Sequence, residues 1–233
     1  MREIIFDTET TGLDSRADRV IEIGGVELVN RFPTGRSFHV YINPQGREVN
    51  PEALAVHGIS NADLVDKPTF DAIALEFLEF IDGARLVAHN AHFDLGFINA
   101  EFARCGHPLI ETHRIVDTLA IAKRKHPMGP NSLDALCRRY GIDNSHRTKH
   151  GALLDCELLA EVYIELIGGK QAALGLDVAV TSTVEISMRQ ETVIVVSERP
   201  APLPPRLIEA DLAAHAALVA ELGDGSIWSE VLR

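Results

Sequence analysis

The 233-residue chain has no apolar run approaching the ~18 residues that a membrane-spanning helix needs, which excludes a helical membrane protein. It has only three cysteines, Cys105, Cys137 and Cys156, an odd number without metal-ligand spacing. That pattern argues against a disulfide scaffold and a thiolate zinc site; the three read as reduced thiols in cytoplasm. Met1-Arg2-Glu3 runs straight into a strand, so no secretory signal is expected. Basic residues are in deficit, 22 Lys and Arg against 34 Asp and Glu, for a net charge of −12. Such a chain does not hold nucleic acid by a broad basic surface. An acidic site that binds cations and meets nucleic acid through them stays open. No internal repeat is visible. What the chain does have is 46% hydrophobic residues, enough for a sizeable core, and a length that suits one ordinary domain plus an appendage.

The opening reads as strands over residues 2–6, 20–30 and 37–43, β-rich segments separated by turn residues. After Pro51 the pattern alternates between helix and strand. Helical spacing runs over 68–81, a short strand over 84–90, a helix over 93–106 ended by Gly106, and a short strand over 113–118. A helix at 132–141 has Ser132 as N-cap and Gly141 as stop, and a long helix over 152–169 closes on paired glycines. An antiparallel meander followed by strand–helix alternation predicts an α/β fold, a mixed sheet with helices on its faces. Beyond Gly169 periodicity fades. Residues 170–206 read as a linker ending in the proline-rich "RPAPLPPR", and 207–222 as a helix of high propensity, with Trp228 in the last stretch. The tail is therefore expected to be flexible and the main domain to span 1–169.

The chemistry concentrates in "IIFDTETTGL". Residues i and i+2 of a strand share a face, roughly 6.6–7 Å apart, so Asp7 and Glu9 can bracket one hard cation. A lone pair of this kind is usually a solvated strand end. Here "HNAHFD" adds Asp94 at a helix start, and "HGALLD" adds Asp155 one turn into a helix, among Leu153, Leu154, Leu158 and Leu159. Oxygen ligands without cysteine favour Mg²⁺ or Mn²⁺, and two such ions ~3.5–4 Å apart suit in-line phosphoryl displacement. His150 and Asp155 would sit ~140° apart on a helix, so His150 is placed on the preceding loop, where an imidazole can act as general base toward water.

"FDTETTG", "HNAHFDLGF" and "HGALLD", in this order and spacing, resemble the three exonuclease motifs of the DEDD superfamily, in its histidine-containing branch. "VIEIGGVELVNR", "NPEALAVHGIS" and "NSLDALCRRYGIDNSHRTKHGALLDCELLAEVY" narrow the likeness over residues 2–169 to the proofreading, epsilon-type subunits of bacterial DNA polymerase III. The resemblance implies an RNase H-like fold and 3′→5′ removal of mispaired nucleotides as deoxynucleoside 5′-monophosphates. It implies that Asp7, Glu9 and Asp155 bind the metals directly, with Asp7 bridging both. Asp94 is then the fourth acid, acting partly through water, and His150 the base. It places Val56 and His57 in the pocket of the terminal nucleotide, with Thr8, Thr10 and Asn90 as further contacts. For His57 and Asn90, a packed histidine at a helix end and an ordinary turn asparagine are the competing readings. Arg147 and Lys149 read either as phosphate contacts or as a solvated basic loop. Asp117 reads as a helix cap and Asp134 as a first-turn acid.

In the same family the C-terminal region tethers the subunit to the polymerase (alpha) subunit, which gives residues 207–233 that role here. Gln171, Leu174 and Leu176 resemble a weak sliding-clamp-binding peptide, and a small theta-like subunit is a further expected partner. Two other functions fit parts of the sequence. A free-standing exonuclease on RNA or short oligonucleotides would use the same five residues, since such a site reads phosphate rather than sugar. A non-catalytic polymerase adaptor would need a degraded acid set, and this one is complete.

Overall fold

A computed structural model of the chain describes residues 1–147, 149–169 and 209–222. Five strands, β1 (Arg2–Thr10), β2 (Val20–Val29), β3 (Phe32–Tyr41), β4 (Arg85–Ala88) and β5 (Ile115–Asp117), form one sheet in the order β3-β2-β1-β4-β5. The meander β1-β2-β3 is antiparallel, and β4 and β5 add in parallel to the other side of β1. The expected mixed sheet is present with β1 at its centre. Around it lie α1 (Pro51–His57), α2 (Phe70–Ile81), α3 (Ala91–Cys105), α4 (Thr118–Lys125), α5 (Leu133–Tyr140) and α6 (Ala152–Leu166). A further helix, α7 (Glu209–Leu222), stands where 207–222 was expected to be helical. Among the described residues no helix is long and apolar enough to cross a membrane. Gln171, Leu174, Leu176, the linker and Trp228 lie outside the described residues.

Strand alternation sets where everything else goes. Ile4 and Phe6 point into a core with Phe70, Phe77 and Phe102 of α2 and α3, and Ile5 points into a second core with Leu136, Leu159 and Val162 of α5 and α6. All these side chains are at most 1% exposed. Each buried large apolar side chain contributes roughly 1.5–3 kcal/mol relative to exposure, so β1 is clamped from both faces. Glu3, Asp7 and Glu9 share the parity of Ile5 and lie on the α6 face. Thr8 shares that of Phe6 and lies on the α3 face. β1 runs four residues past the expected stop at Phe6, because Asp7 to Thr10 keep pairing with Gly24, Ile23, Glu22 and Val20. Both acids thus sit within a paired strand.

β3 starts five residues earlier than expected. Asn30 and Arg31 both take positive φ, 53° and 71°, the conformation of a two-residue hairpin turn, so Phe32 already pairs with Val29. Pro33 is tolerated there because β3 is an edge strand. α1 was not apparent from periodicity. It is seven residues long, begins on Pro51 at its first turn and ends on Gly58 at φ 77°. Ser132 and Gly141 bound α5 as expected, the Ser132 hydroxyl accepting from Ala135 N–H.

Two contacts fix α6 against the sheet. Glu22 of β2, 2% exposed, accepts the Ala152 N–H at 3.2 Å, capping the helix at its first residue, and pairs with His39 at 2.7 Å. Gly24, two residues on, lets the helix start touch the sheet. A Cβ there would lie 2.3–2.4 Å from the backbone of Ala152 and Leu153. Gly24→Ala should therefore push α6 outward, cost about 1–3 kcal/mol as overpacking, lower the melting temperature and weaken activity by displacing Asp155. A thermal melt and an activity assay check this; an unchanged melt with full activity would mean that α6 slides freely on β2.

Candidate active site

The site forms at the C-terminal end of β1, where helices from both faces of the sheet converge. Asp7 and Glu9 come from β1, Asp94 from the first turn of α3, Asp155 from the first turn of α6, and His150 from the loop just before α6. The end of β4 turns through Asn90, at φ 66°, into α3. Asp117 holds this turn while capping its own helix: its Oδ1 accepts from Asn90 N, Ala91 N and Leu119 N. The cap expected of Asp117 is therefore present and also ties two βα junctions together.

A cleft of about 230 Å³ opens over these acids. Asp7, Glu9, Asp94 and His150 line it together with Thr8, Thr10, Val56 and His57. Asp155 stands beside it: ligand atoms of Glu9, His150 and Asp155 all fall within 4.8 Å of one another. Asn90 is exposed at its turn and does not line the cleft. Val56 is 48% exposed at the rim. His57 is buried; its Nδ1 accepts from Ile59 N–H at 3.0 Å, which leaves the ring proton on Nε2, beside the Thr10 backbone. The Thr10 hydroxyl is spent on the Gly12 carbonyl at 2.6 Å.

Each acid has a different environment. Asp94 accepts from both the backbone N–H and the hydroxyl of Thr8, at 3.0 and 2.7 Å, so it is fixed across the sheet. Burial pushes its pKa up to about 7, against the pull of the Thr8 bonds. Glu9 is pushed up to about 8, first by burial and then by Glu22, Asp155 and Asp94, and its Oε1 is buried without a hydrogen-bond partner among the described residues. Asp7 is raised well above the carboxylate range by burial and by Asp94, Glu9 and Asp155. Asp155 goes the other way: burial alone would raise it, but Arg147 and His150 bring it below its ordinary value.

Arg147 is the residue that sequence reasoning placed least well. Its side chain is 6% exposed and grips Asp155 with two bonds, Nε–Oδ1 at 2.5 Å and Nη2–Oδ2 at 2.7 Å. It also reaches Asp134 at 2.9 Å and donates to His150 Nδ1 at 2.9 Å. "NSHRTKH" carried no apolar pattern to mark its arginine as buried. Asp134, the expected first-turn acid of α5, doubles as this arginine's anchor. His150 is on the loop expected of it. That loop is tied by His150 N–H to the Val56 carbonyl at 3.3 Å, and Lys149 lies against Gly58. His89 also lines the cleft, its Nδ1 paired with the Thr118 hydroxyl at 2.9 Å; only its place beside Asn90 could have suggested this.

The donor set fits a hard divalent cation. It consists of carboxylate oxygens and one imidazole, with one buried carboxylate oxygen that has no hydrogen-bond partner among the described residues. Cys156, next to Asp155, is fully buried and its thiol is pushed well up by burial, so it remains a thiol.

Comparison with known proteins places this fold. The family model described as "Exonuclease" matches residues 4–163. A solved structure of exonuclease X in complex with 5′-overhanging duplex DNA superposes with a TM-score of 0.54 at 26% identity, covering 71% of this chain and 90% of that one. The protein is thus an exonuclease, a nuclease acting on DNA, of a family that uses divalent metal ions. The DNA polymerase III subunit epsilon of Escherichia coli K12 is 43% identical over 97% of both chains, and that of Rickettsia conorii 52% identical over 74% of this chain and 76% of its own. The chain belongs to the family of DNA polymerase III epsilon subunits.

The raised acids carry a pH signature. Glu9 and Asp94 bind protons in the folded state between about pH 4 and their shifted values near 8 and 7, whereas the unfolded chain has released them. The folded state binds more protons there, so stability falls as pH rises. In EDTA the melting temperature should drop by more than about 3 °C between pH 5 and 8, and Glu9→Gln should flatten the slope. A melting temperature that rises across this range would show that the acids are already neutralised by the protein.

Proposed function

We propose that the protein is the 3′→5′ exonuclease that proofreads replicative DNA synthesis, releasing deoxynucleoside 5′-monophosphates from a mispaired primer end. The observation that carries this is the Glu9–His150–Asp155 cluster beneath a narrow cleft, with a buried Glu9 oxygen that no donor satisfies. Asp7, Glu9 and Asp155 would hold two divalent cations, Mg²⁺ or Mn²⁺, directly, with Asp7 between them and Asp94 reaching them through water. When bound, such a pair stabilises charge on the attacking and leaving oxygens of an in-line displacement. Thr8 keeps Asp94 oriented throughout. The terminal nucleotide enters between Val56 and the β1 end, beside His57. Thr10 and Asn90 support this pocket through the backbone they shape.

His150 takes a proton from the attacking water. An arginine can only donate, so with Arg147 on Nδ1 the ring carries its proton on Nε2. Turning Nδ1–H toward Asp155 Oδ2, 3.4 Å away, frees the Nε2 lone pair for the water. The base therefore works in the arrangement in which Asp155, not Arg147, holds its other nitrogen.

An acidic exonuclease binds DNA weakly unaided, and this one carries a net charge of −12. Delivery of the primer end falls to the polymerase alpha subunit, tethered by residues 207–233. Support comes from the Escherichia coli relative, whose likeness runs through 97% of the chain, and from Leu212 and Leu218, exposed apolar residues on α7. Gln171, Leu174 and Leu176 supply a weak contact to a sliding clamp, and a theta-like subunit completes the assembly in the bacterial cytoplasm. The domain division 1–169, 170–206 and 207–233 follows from these roles.

The test is mononucleotide release, with Mg²⁺, from a mismatched DNA primer and from RNA. DNA should be the better substrate. Asp7→Ala should abolish release while the fold persists, and His150→Ala should lower kcat by ~10²–10⁴. Near-normal turnover by folded Asp7→Ala protein would refute the cation assignment, and equal release from RNA would make the protein a general oligonucleotide exonuclease.

A further inference from the structure

Arg147 is the one arginine or lysine that binds an acid of the cluster among the described residues. Its four polar contacts account for every nitrogen of the guanidinium. Two go to Asp155, one to Asp134 and one to His150 Nδ1. Bidentate arginine–carboxylate pairs are among the strongest hydrogen-bonded contacts in proteins, and this one is buried on both sides, 6% and 5% exposed. The pairing has a consequence for the acid it grips. Both Asp155 oxygens are bonded to a positive group, yet Asp155 also contributes a ligand atom to the cluster with Glu9 and His150. A divalent cation placed there would stand beside a fixed positive charge in a partly buried site, where like charges repel strongly. It would also contend for oxygens that already carry two hydrogen bonds.

We propose that Arg147 is a positioning residue that acts as the site's resident counter-cation: it aligns Asp155 and His150 before a divalent cation arrives, and cation binding displaces its guanidinium from both of them toward Asp134. This rests on the proposed cation-dependent exonuclease function. Asp134 gives the arginine somewhere to go. It holds Nη1 from the first turn of α5 and is itself 41% exposed, so the guanidinium can turn outward about that bond without losing its charge partner. Asn144 Nδ2 donates to the same Asp134 oxygen at 2.9 Å and keeps the perch in place. Release of His150 Nδ1 by the same movement lets that nitrogen donate to Asp155. One displacement thereby makes the acid available as a ligand and sets the histidine for its task.

Titration of Mn²⁺ into the full-length protein, followed by electron paramagnetic resonance, measures the competition without turnover. Wild-type protein should bind Mn²⁺, Arg147→Ala should bind it about tenfold more tightly, and Arg147→Lys, which keeps a charge but not the fork, should fall between. In parallel, Arg147→Ala should melt below wild type in EDTA and recover most of the difference in Mn²⁺. Should Arg147→Ala fail to fold in EDTA, Arg147→Lys alone must still bind more tightly than wild type. Mn²⁺ affinity that is unchanged or weaker in folded variants would overturn the inference and make Arg147 a fixed support for Asp155. No Mn²⁺ binding to the wild type would instead sink the cation site itself, and this inference with it.

Discussion

Four carboxylates gathered at one strand end repel one another, and the rest of this structure is arranged around that repulsion. Burial takes away the water that would screen them, and it is the largest single influence raising Asp7, Glu9 and Asp94. Removing charged groups from water costs several kcal/mol each unless positive partners compensate. Within the chain the compensation is partial. Thr8 offers Asp94 two neutral donors, Arg147 neutralises Asp155, and one oxygen of Glu9 has nothing. The site is thereby left with uncompensated negative charge, which the proposed divalent cations would offset.

The scaffold that tolerates this is stiff where it has to be. β1 is packed on both faces and paired on both sides as far as Ile5, and Asp7 and Glu9 stay paired with β2 beyond it, which holds the two acids on one rigid strand. α6 is pinned to β2 at its first residue by the Glu22 cap and by contact with Gly24, which sets where Asp155 projects. α3 is locked through Asp117 at its start and through Glu101, a fully buried acid paired with Arg19 and Arg104. Rigid elements thus supply the four acids, whereas the histidine and its arginine come from a loop. That division suits a site whose ligands must be preset and whose proton acceptor must reorient.

Much of this was legible in the sequence, for definable reasons. Asp7 and Glu9 follow a strongly apolar run, and the period of two then fixes their common face. Ser132, Gly141 and Asp117 announce helix ends by chemistry that acts within four residues. The acids and His150 stand in three short motifs, "FDTETTG", "HNAHFDLGF" and "HGALLD", whose order and spacing resemble those of a known family. What escaped depends on contacts between distant segments. Arg147 sits in a polar loop, and only the three-dimensional meeting of α5, α6 and that loop buries it. Glu22 and Gly24 look like ordinary strand residues until the start of α6 lands on them. The turn between β2 and β3 falls at Asn30 and Arg31 and not over 31–36, because an arginine at positive φ runs against local preference, and α1 is invisible because seven residues are too few to show a period.

The most direct measurement of the central idea, that the acids at the end of β1 are completed by cations and not by the protein alone, is an anomalous difference map from crystals of the full-length protein grown in Mn²⁺. Two peaks between Asp7, Glu9 and Asp155, sharing Asp7, with the guanidinium of Arg147 turned from Asp155 toward Asp134, are the expected result. A map without a peak at the cleft, with Arg147 still gripping both Asp155 oxygens at saturating Mn²⁺, would contradict it.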